Sequence, residues 1–323
     1  MRFVEVNGVR LSAIGLGTWQ FGSKDWGYGD EYADHEAGKI LERALELGVN
    51  LVDTAEVYGR GNSEKIVGRA IAGRRDEVFL ATKVLPVTPI ASIVEKHGRA
   101  SAARLGVSVI DLYQIHWPNP AVPIGEQMRG MKRLLDARVV RYAGVSNFSL
   151  GKWKAAENAL GAPVLSNQVQ YSLAFRKPDN EIVPYAAVSE RLVIAYSPLA
   201  KGLLSGRYDA TNLPRNSARM YDPLFLPENV VRAQDLIETL RTVAKAHDAT
   251  PAQIALAWVI SHPNVVAIPG ASSLAQLEAN VAAADLQLSA DELEELTAAS
   301  DAFVPVRGAS GAAKMVARRV KRD

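Results

Sequence analysis

The chemistry available to this sequence rests on seven side chains, Asp53, Tyr58, Lys83, His116, Ser146, Gln168 and Tyr196. All but Tyr58 close short β-rich runs, and a buried apolar run has no structural need to stop on an ionisable or polar group. Singly, each has a plain explanation: Asp53 as an N-cap or turn residue, Lys83 as a solvated strand end, His116 as a satisfied core histidine, Tyr58 as a loop aromatic. Brought to one place they make a proton-transfer centre. A free phenol titrates at about 10 and is a poor acid at neutral pH. An ammonium beside it stabilises the phenolate and lowers that value, and a carboxylate paired with the ammonium keeps it charged and oriented. Tyr58, Lys83 and Asp53 take these roles, and His116 would hydrogen-bond a substrate oxygen and polarise its bond.

The elements that must bring these groups together follow from periodicity. Runs at 13–17, 49–53, 78–83, 110–116, 140–146, 164–168, 192–196 and 265–268 alternate with helical stretches such as 36–47, 63–72, 123–137, 150–160 and 273–284. Eight βα units in roughly 250 residues predict an α/β fold, a single (β/α)8 TIM barrel whose strand C-termini surround one cavity. A doubly wound sheet competes, but it needs a glycine-rich G-x-G-x-x-G turn after its first strand, and Gly15-Leu16-Gly17-Thr18-Trp19 does not complete one. Ahead of the barrel, residues 4–6 and 9–11 around Asn7-Gly8 predict a β-hairpin that acts as a lid and not as a core strand. The aperiodic stretch 199–227 reads as a functional loop over the site. Residues 289–299 read as an extra C-terminal helix, with Ser289 as N-cap and Glu292 completing a capping box.

With 323 residues, 48% of them hydrophobic and 22% charged, the chain has ample material for a core and is not disordered. Zero cysteines exclude disulfides, thiol nucleophiles and Cys-ligated metals, fit a reducing compartment, and leave no metal site expected. The first 15 residues lack the apolar core of a signal peptide, and no apolar stretch is long enough to span a membrane, so a cytoplasmic protein is expected. The barrel is expected over 1–306 and a basic tail over 307–323, where Arg307, Lys314, Arg318, Arg319, Lys321 and Arg322 face one acid, Asp323. Such a tail can touch nucleic acid or anionic lipid. A solvated tail or an amphipathic end-helix over the barrel floor is the preferred reading, because no aromatic platform or finger-like motif accompanies it.

Asp53-Thr54-Ala55-Glu56-Val57-Tyr58-Gly59, Lys83 and Ile115-His116-Trp117-Pro118, together with Gly15-Leu16-Gly17-Thr18-Trp19, Gly144-Val145-Ser146-Asn147-Phe148, Asn167-Gln168, Ala195-Tyr196-Ser197-Pro198-Leu199 and Ile268-Pro269-Gly270-Ala271, occur in this order. In these motifs the chain resembles the aldo-keto reductase superfamily, over about residues 3–304. The resemblance implies a catalytic tetrad of Asp53, Tyr58, Lys83 and His116. It implies that Ser146, Asn147 and Gln168 hold a nicotinamide carboxamide, that Tyr196 stacks on the nicotinamide, and that Ser197, Leu199, Gly202, Leu203, Ser205 and Arg207 lie along the pyrophosphate. Members preferring NADPH often carry a lysine and an arginine where this chain has Gly270 and Gln276. Ser272, Gln276, Asn280 and the helix start near Ser273 would serve a 2′-phosphate instead. The expected cofactor is NADPH, with NADH possible.

The function so implied is reduction of an aldehyde or ketone to an alcohol, with Tyr58 as proton donor. Trp19, Trp26, Tyr28, Trp117 and the Met220-Tyr221 loop would wall the pocket and favour an apolar or aromatic carbonyl. A monomer is expected, with no nucleic-acid or membrane partner. Two other classes compete. A cofactor-sensing accessory subunit, as in relatives of potassium-channel β subunits, would need an extra N-terminal segment, and none is expected. A barrel hydrolase would need paired carboxylates, and the predicted strand ends carry one acid, Asp53.

Overall fold

The computed structural model describes residues 1–22, 36–85, 87–214, 217–308, 311 and 314. An antiparallel hairpin comes first, β1 (Phe3–Val6) and β2 (Val9–Ser12). It turns at Asn7 and Gly8, both at positive φ (50° and 73°), as a two-residue hairpin turn matched to strand twist requires. Eight parallel strands follow: β3 (Leu16–Gly17), β4 (Leu51–Asp53), β5 (Phe79–Val84), β6 (Ile110–Ile115), β7 (Val140–Ser146), β8 (Ser166–Gln170), β9 (Leu192–Tyr196) and β10 (Val265–Ala267), each paired to the next. Ile14 bridges Ala267 in parallel. The Gly15 N–H donates to Ala267 O at 2.8 Å and the Ala267 N–H to Ala13 O at 2.9 Å, so the last strand meets the first and the barrel closes.

Each predicted run therefore carries one barrel strand, with shifts at the ends. The first contracts to two residues plus a bridge at the closure seam. There Gly17 passes so near β10 that a Cβ on it would lie 2.7 Å from Ile268 O. Lys83 sits one residue before the end of β5, His116 one residue past β6, and β8 runs two residues beyond Gln168.

The helical coat comprises α1 (Ala37–Glu46), α2 (Asn62–Ala70), α3 (Ala91–Leu105), α4 (Ile124–Asp136), α5 (Leu150–Leu160), α6 (Ile182–Val188), α7 (Gln234–Ala246), α8 (Pro251–Ile260), α9 (Leu274–Ala282) and α10 (Ala290–Ala302). Local signals account for their limits. Thr250 and Gln253 form a capping box with Pro251 in the first turn of α8, Ser289 and Glu292 form the expected one on α10, and α3 stops at Gly106 in the left-handed region. Among the described residues no helix is long and apolar enough to cross a membrane.

The hairpin is a lid on the floor. Val6, Val9 and Leu11 pack with Leu51, Phe79 and Leu192, the first residues of their strands, and with Leu112, Leu165 and Val266, which plugs the barrel at its N-terminal end. Two expectations change. The 199–227 stretch is not irregular throughout: it holds short helical turns at Ala200–Ser205, Ser217–Met220 and Pro223–Phe225, the last started by Pro223 and capped by the Asp222 carboxylate on Leu224 N–H at 2.9 Å. The beginning of the tail does not lie over the floor. The Arg307 guanidinium donates to Ala174 O and covers the Phe175 ring at 5.0 Å, and Lys314 pairs with Glu228 at 2.6 Å, all in segments that follow β8 and β9 at the opposite end. A carbonyl, an aromatic face and a carboxylate there offer these cations partners. Arg318, Arg319, Lys321, Arg322 and Asp323 lie outside the described residues.

The coat packs without slack between α3 and α4. A Cβ on Gly130 would sit 2.6 Å from Val94 Cβ and 2.8 Å from Ala91 O, whereas one on Gly125, in the same helix, meets nothing within 4 Å. Alanine at either position gains about 1 kcal/mol in helix propensity. Gly130→Ala is nevertheless expected to lose roughly 1–3 kcal/mol net by overpacking and to lower Tm, while Gly125→Ala keeps or raises it, as a thermal melt of both variants would show.

Candidate active site

At the C-terminal ends of the strands, Lys83 is completely buried and Asp53 nearly so. The Lys83 ammonium spends all three protons on protein: on Asp53 Oδ1 at 2.6 Å, on Thr54 O at 2.7 Å and on the Tyr58 hydroxyl at 3.4 Å. The other Asp53 oxygen accepts from Gln168 Nε2 at 2.8 Å and, more weakly, from Gln114 Nε2 at 3.4 Å. Burial would push the lysine down, but the charge of Asp53, the phenol and the hydrogen bonds outweigh it and hold the ammonium above its ordinary value.

Tyr58 stands in the turn after β4. This turn is anchored by Glu56, whose carboxylate accepts the Leu85 N–H at 2.6 Å and contacts His97 Nδ1 at 2.9 Å. A cluster of hydroxyls ties it to the first barrel loop, with Ser63 Oγ 2.9 Å from Thr18 Oγ1 and 3.0 Å from Thr54 Oγ1. The direction of the phenol's titration corrects the simple expectation. Burial raises it and the Asp53 charge adds to this, and together they outweigh the lowering by the Lys83 charge and hydrogen bond, so the net shift is upward.

The His116 ring meets the Tyr58 ring edge-on at 5.9 Å and stacks beside Trp117 at 6.3 Å. Burial, then the Lys83 charge, pushes its imidazole down to about 3, so it is neutral at physiological pH. Its Nδ1 is buried with no hydrogen-bond partner. A buried N–H without an acceptor costs more than a bare lone pair. The proton therefore belongs on Nε2, and His116 can donate from that nitrogen.

These groups open onto a cavity of about 560 Å³, in the range of a small-molecule site. Asp53, Tyr58, His116, Ser146, Asn147, Gln168, Tyr196, Ser197, Leu199, Gly202, Ser205, Arg207, Gly270, Ser272, Gln276 and Asn280 line it, as do Trp19 and Trp117, both about half exposed at its mouth. Four expected residues do not. Lys83 lies behind the wall, Leu203 turns its side chain into the hydrophobic core, and Met220 and Tyr221, expected to wall the pocket, stand off it, where Arg219 takes the place on the wall. Trp26 and Tyr28 lie outside the described residues.

Several lining groups already bond one another. Ser146 Oγ donates to Gln168 O at 2.9 Å, Asn147 Nδ2 donates to Ser146 Oγ at 2.9 Å and His116 O at 3.2 Å, and the Tyr196 hydroxyl donates to Asn147 Oδ1 at 2.9 Å. Ser272 Oγ donates to Gln276 Oε1 at 2.7 Å. The segment after β9 is strained: Ser197, Ala200 and Lys201 all take positive φ ahead of Gly202. Such strain persists where it serves a site, and turns of this kind aim successive N–H groups into an anion-binding hollow.

Sequence reasoning missed four residues. Lys201 lines the cavity, pairs with Asp222 at 2.6 Å and lies 5.7 Å above the Trp19 ring. Arg219 also lines it and donates to Lys201 O at 2.7 Å. Gln20 fills the space a side chain at Gly270 would need and donates to Ala271 O at 3.0 Å. Gln114 lies under the cavity. Its signal was strand alternation, since Gln114 and His116 share one parity, whereas long-range folding of 199–227 gives Arg219 its place.

The sequence profile of the Aldo/keto reductase family matches residues 13–301. The chain belongs to this family. It is 52% identical to an uncharacterised oxidoreductase of Mycobacterium tuberculosis, over 100% of both chains. It is 34% identical to the methylglyoxal reductase of Escherichia coli, over 89% of this chain and 90% of that one. Among solved structures, the glycerol dehydrogenase of Gluconobacter oxydans superposes with a TM-score of 0.84 at 30% identity, over 95% of this chain and 97% of that one. An aldo/keto reductase of Klebsiella pneumoniae, solved with NADP and acetate, gives a TM-score of 0.74 at 31% identity, over 95% and 96%. This aldo/keto reductase is thus an oxidoreductase by family.

The depressed imidazole makes stability fall on acidification. Between its ordinary value of 6.5 and about 3, the unfolded chain binds a proton at His116 that the folded chain excludes, so acid favours unfolding. From pH 6 to pH 4.5, urea unfolding should show the wild type losing about 1–2 kcal/mol more than His116→Gln.

Proposed function

We propose that this aldo/keto reductase is an NADPH-dependent carbonyl reductase that converts an aldehyde or ketone to an alcohol, with Tyr58 as the proton donor. One observation carries the reading: a phenol at the cavity wall shares a fully buried ammonium with a carboxylate, Lys83 reaching Tyr58 at 3.4 Å and Asp53 at 2.6 Å. The raised titration of Tyr58 keeps its proton in place at neutral pH, where a donor must start. Once the proton passes to the substrate oxygen, the phenolate faces the Lys83 ammonium, which the Asp53 charge keeps protonated. His116, neutral and donating from Nε2, positions the carbonyl oxygen toward Tyr58 and polarises it.

The cavity residues fit a nicotinamide dinucleotide. Tyr196 offers a ring beside the proton-transfer centre, and the left-handed run through Lys201 and Gly202, with Ser205, Arg207, Lys201 and Arg219 on the wall, suits a diphosphate. Ser146, Asn147 and Gln168 would hold the carboxamide by exchanging bonds they now make with each other and with neighbouring groups. Ser272, Gln276 and Asn280 would take the adenosine end. Bound there, the reduced nicotinamide would supply a hydride to the carbonyl carbon. A related enzyme solved with NADP supports the phosphorylated cofactor. Trp19, Trp117 and Val57, each substantially exposed at the mouth, favour an apolar or aromatic carbonyl, and the relative named a methylglyoxal reductase makes that small dicarbonyl a suitable first substrate.

Tyr58→Phe is expected to lower kcat about 10²–10⁴-fold while tryptophan fluorescence still reports NADPH binding; near-normal reduction of methylglyoxal by this variant would sink the assignment. Gln276→Arg, adding a cation where the adenosine phosphate would lie, should raise the kcat/KM ratio of NADPH over NADH about tenfold, the effect of one charge-assisted bond.

A further inference from the structure

Beneath the cavity, four residues in one row face the barrel interior. Lys83, Gln114, Gly144 and Ser166 are register partners across β5, β6, β7 and β8. Gln114 and Ser166 are fully buried, and neither lines the cavity. Gly144 between them has no side chain: a Cβ there would lie 2.6 Å from Ser166 Oγ and 2.9 Å from Gln114 Cγ, so glycine is what lets the two side chains occupy this layer. Gln114 Nε2 points to Asp53 Oδ2 at 3.4 Å. Its Oε1 and the Ser166 hydroxyl are both buried without a protein partner. Because the Asp53 carboxylate accepts, the amide turns its nitrogen to Asp53 and its oxygen away from it.

We propose that Gln114 is a positioning residue for the proton-transfer centre: from below the cavity its amide holds the second oxygen of Asp53, and through Asp53 it keeps the Lys83 ammonium aimed at Tyr58. This rests on the reading of Tyr58, Lys83 and Asp53 as the proton-transfer machinery. The second oxygen of Asp53 is pinned from two strands. Gln168 on β8 also lines the cavity, so a change there would disturb ligand binding too, whereas Gln114 on β6 reaches only the carboxylate. The amide also keeps a charge-bearing oxygen from lying buried with a single donor.

The test compares wild type, Gln114→Met and Gln114→Glu, with Gly144→Ala as a variant that crowds Gln114 without touching Asp53. One arm follows the Lys83 ammonium by nitrogen-15 NMR, identified by its loss in Lys83→Met, and reads its hydrogen exchange. The other measures NADPH-dependent reduction of methylglyoxal and para-nitrobenzaldehyde, with NADPH Kd from fluorescence. One weak charge-assisted bond corresponds to about a tenfold effect. Ammonium exchange should therefore quicken and kcat fall by about that factor in Gln114→Met, with NADPH Kd and KM unchanged within twofold. A merely structural change would move Kd, KM and thermal stability together, and that pattern overturns the proposal. So does unchanged exchange, or faster exchange with unchanged kcat. Faster exchange in a protein whose wild type reduces no carbonyl would leave the hold on Asp53 and Lys83 standing and remove the carbonyl-reductase reading alone.

Discussion

The ion pair between Lys83 and Asp53 is the constraint around which this molecule is arranged. Taking an ammonium and a carboxylate fully out of water is unfavourable, and their attraction offsets the loss only when every remaining proton and lone pair is met. Thr54 O, the Tyr58 hydroxyl and the amides of Gln168 and Gln114 meet them. The pair and its partners come from β4, β5, β6, β8 and the turn after β4, segments far apart in sequence. A closed barrel is a way to bring that many strands to one point. Seam contacts such as Gly17 against Ile268 O thus serve the chemistry as much as the stability.

The same pair sets the electrostatics of its neighbours. The lysine charge helps keep His116 neutral and works against the burial that raises Tyr58. A phenol can sit beside a cation and still hold its proton, because desolvation of the phenolate is the larger effect. The residue types reveal the Lys83 cation beside the phenol but not the depth of burial, so the sequence predicts a lowered value where burial raises it.

Other parts of the fold were legible to the degree that they are local. Strand positions, the Asn7-Gly8 turn and the Ser289–Glu292 capping box each depend on a few adjacent residues; the turn and the box lie where turn chemistry puts them, and the strands within a few residues of where periodicity does. Lys201 over Trp19, Gln20 over Gly270 and Arg307 on Ala174 depend on contacts between segments that no spacing reveals. Leu203 shows a limit of motif reasoning. A motif names a backbone segment, while the rotation of each side chain about that segment decides between cavity and core.

The hairpin plug has a consequence for traffic. With Val6, Val9 and Leu11 packed against Leu51, Phe79 and Leu192, apolar side chains close the floor of the barrel among the described residues. On the proposed chemistry, the tyrosinate left after each reduction lies on the cavity wall, so solvent entering at the mouth can recharge it through the same opening by which the alcohol departs. Product release and re-arming of the acid then share one passage, while a pair of short strands keeps the far end of the barrel apolar and packed.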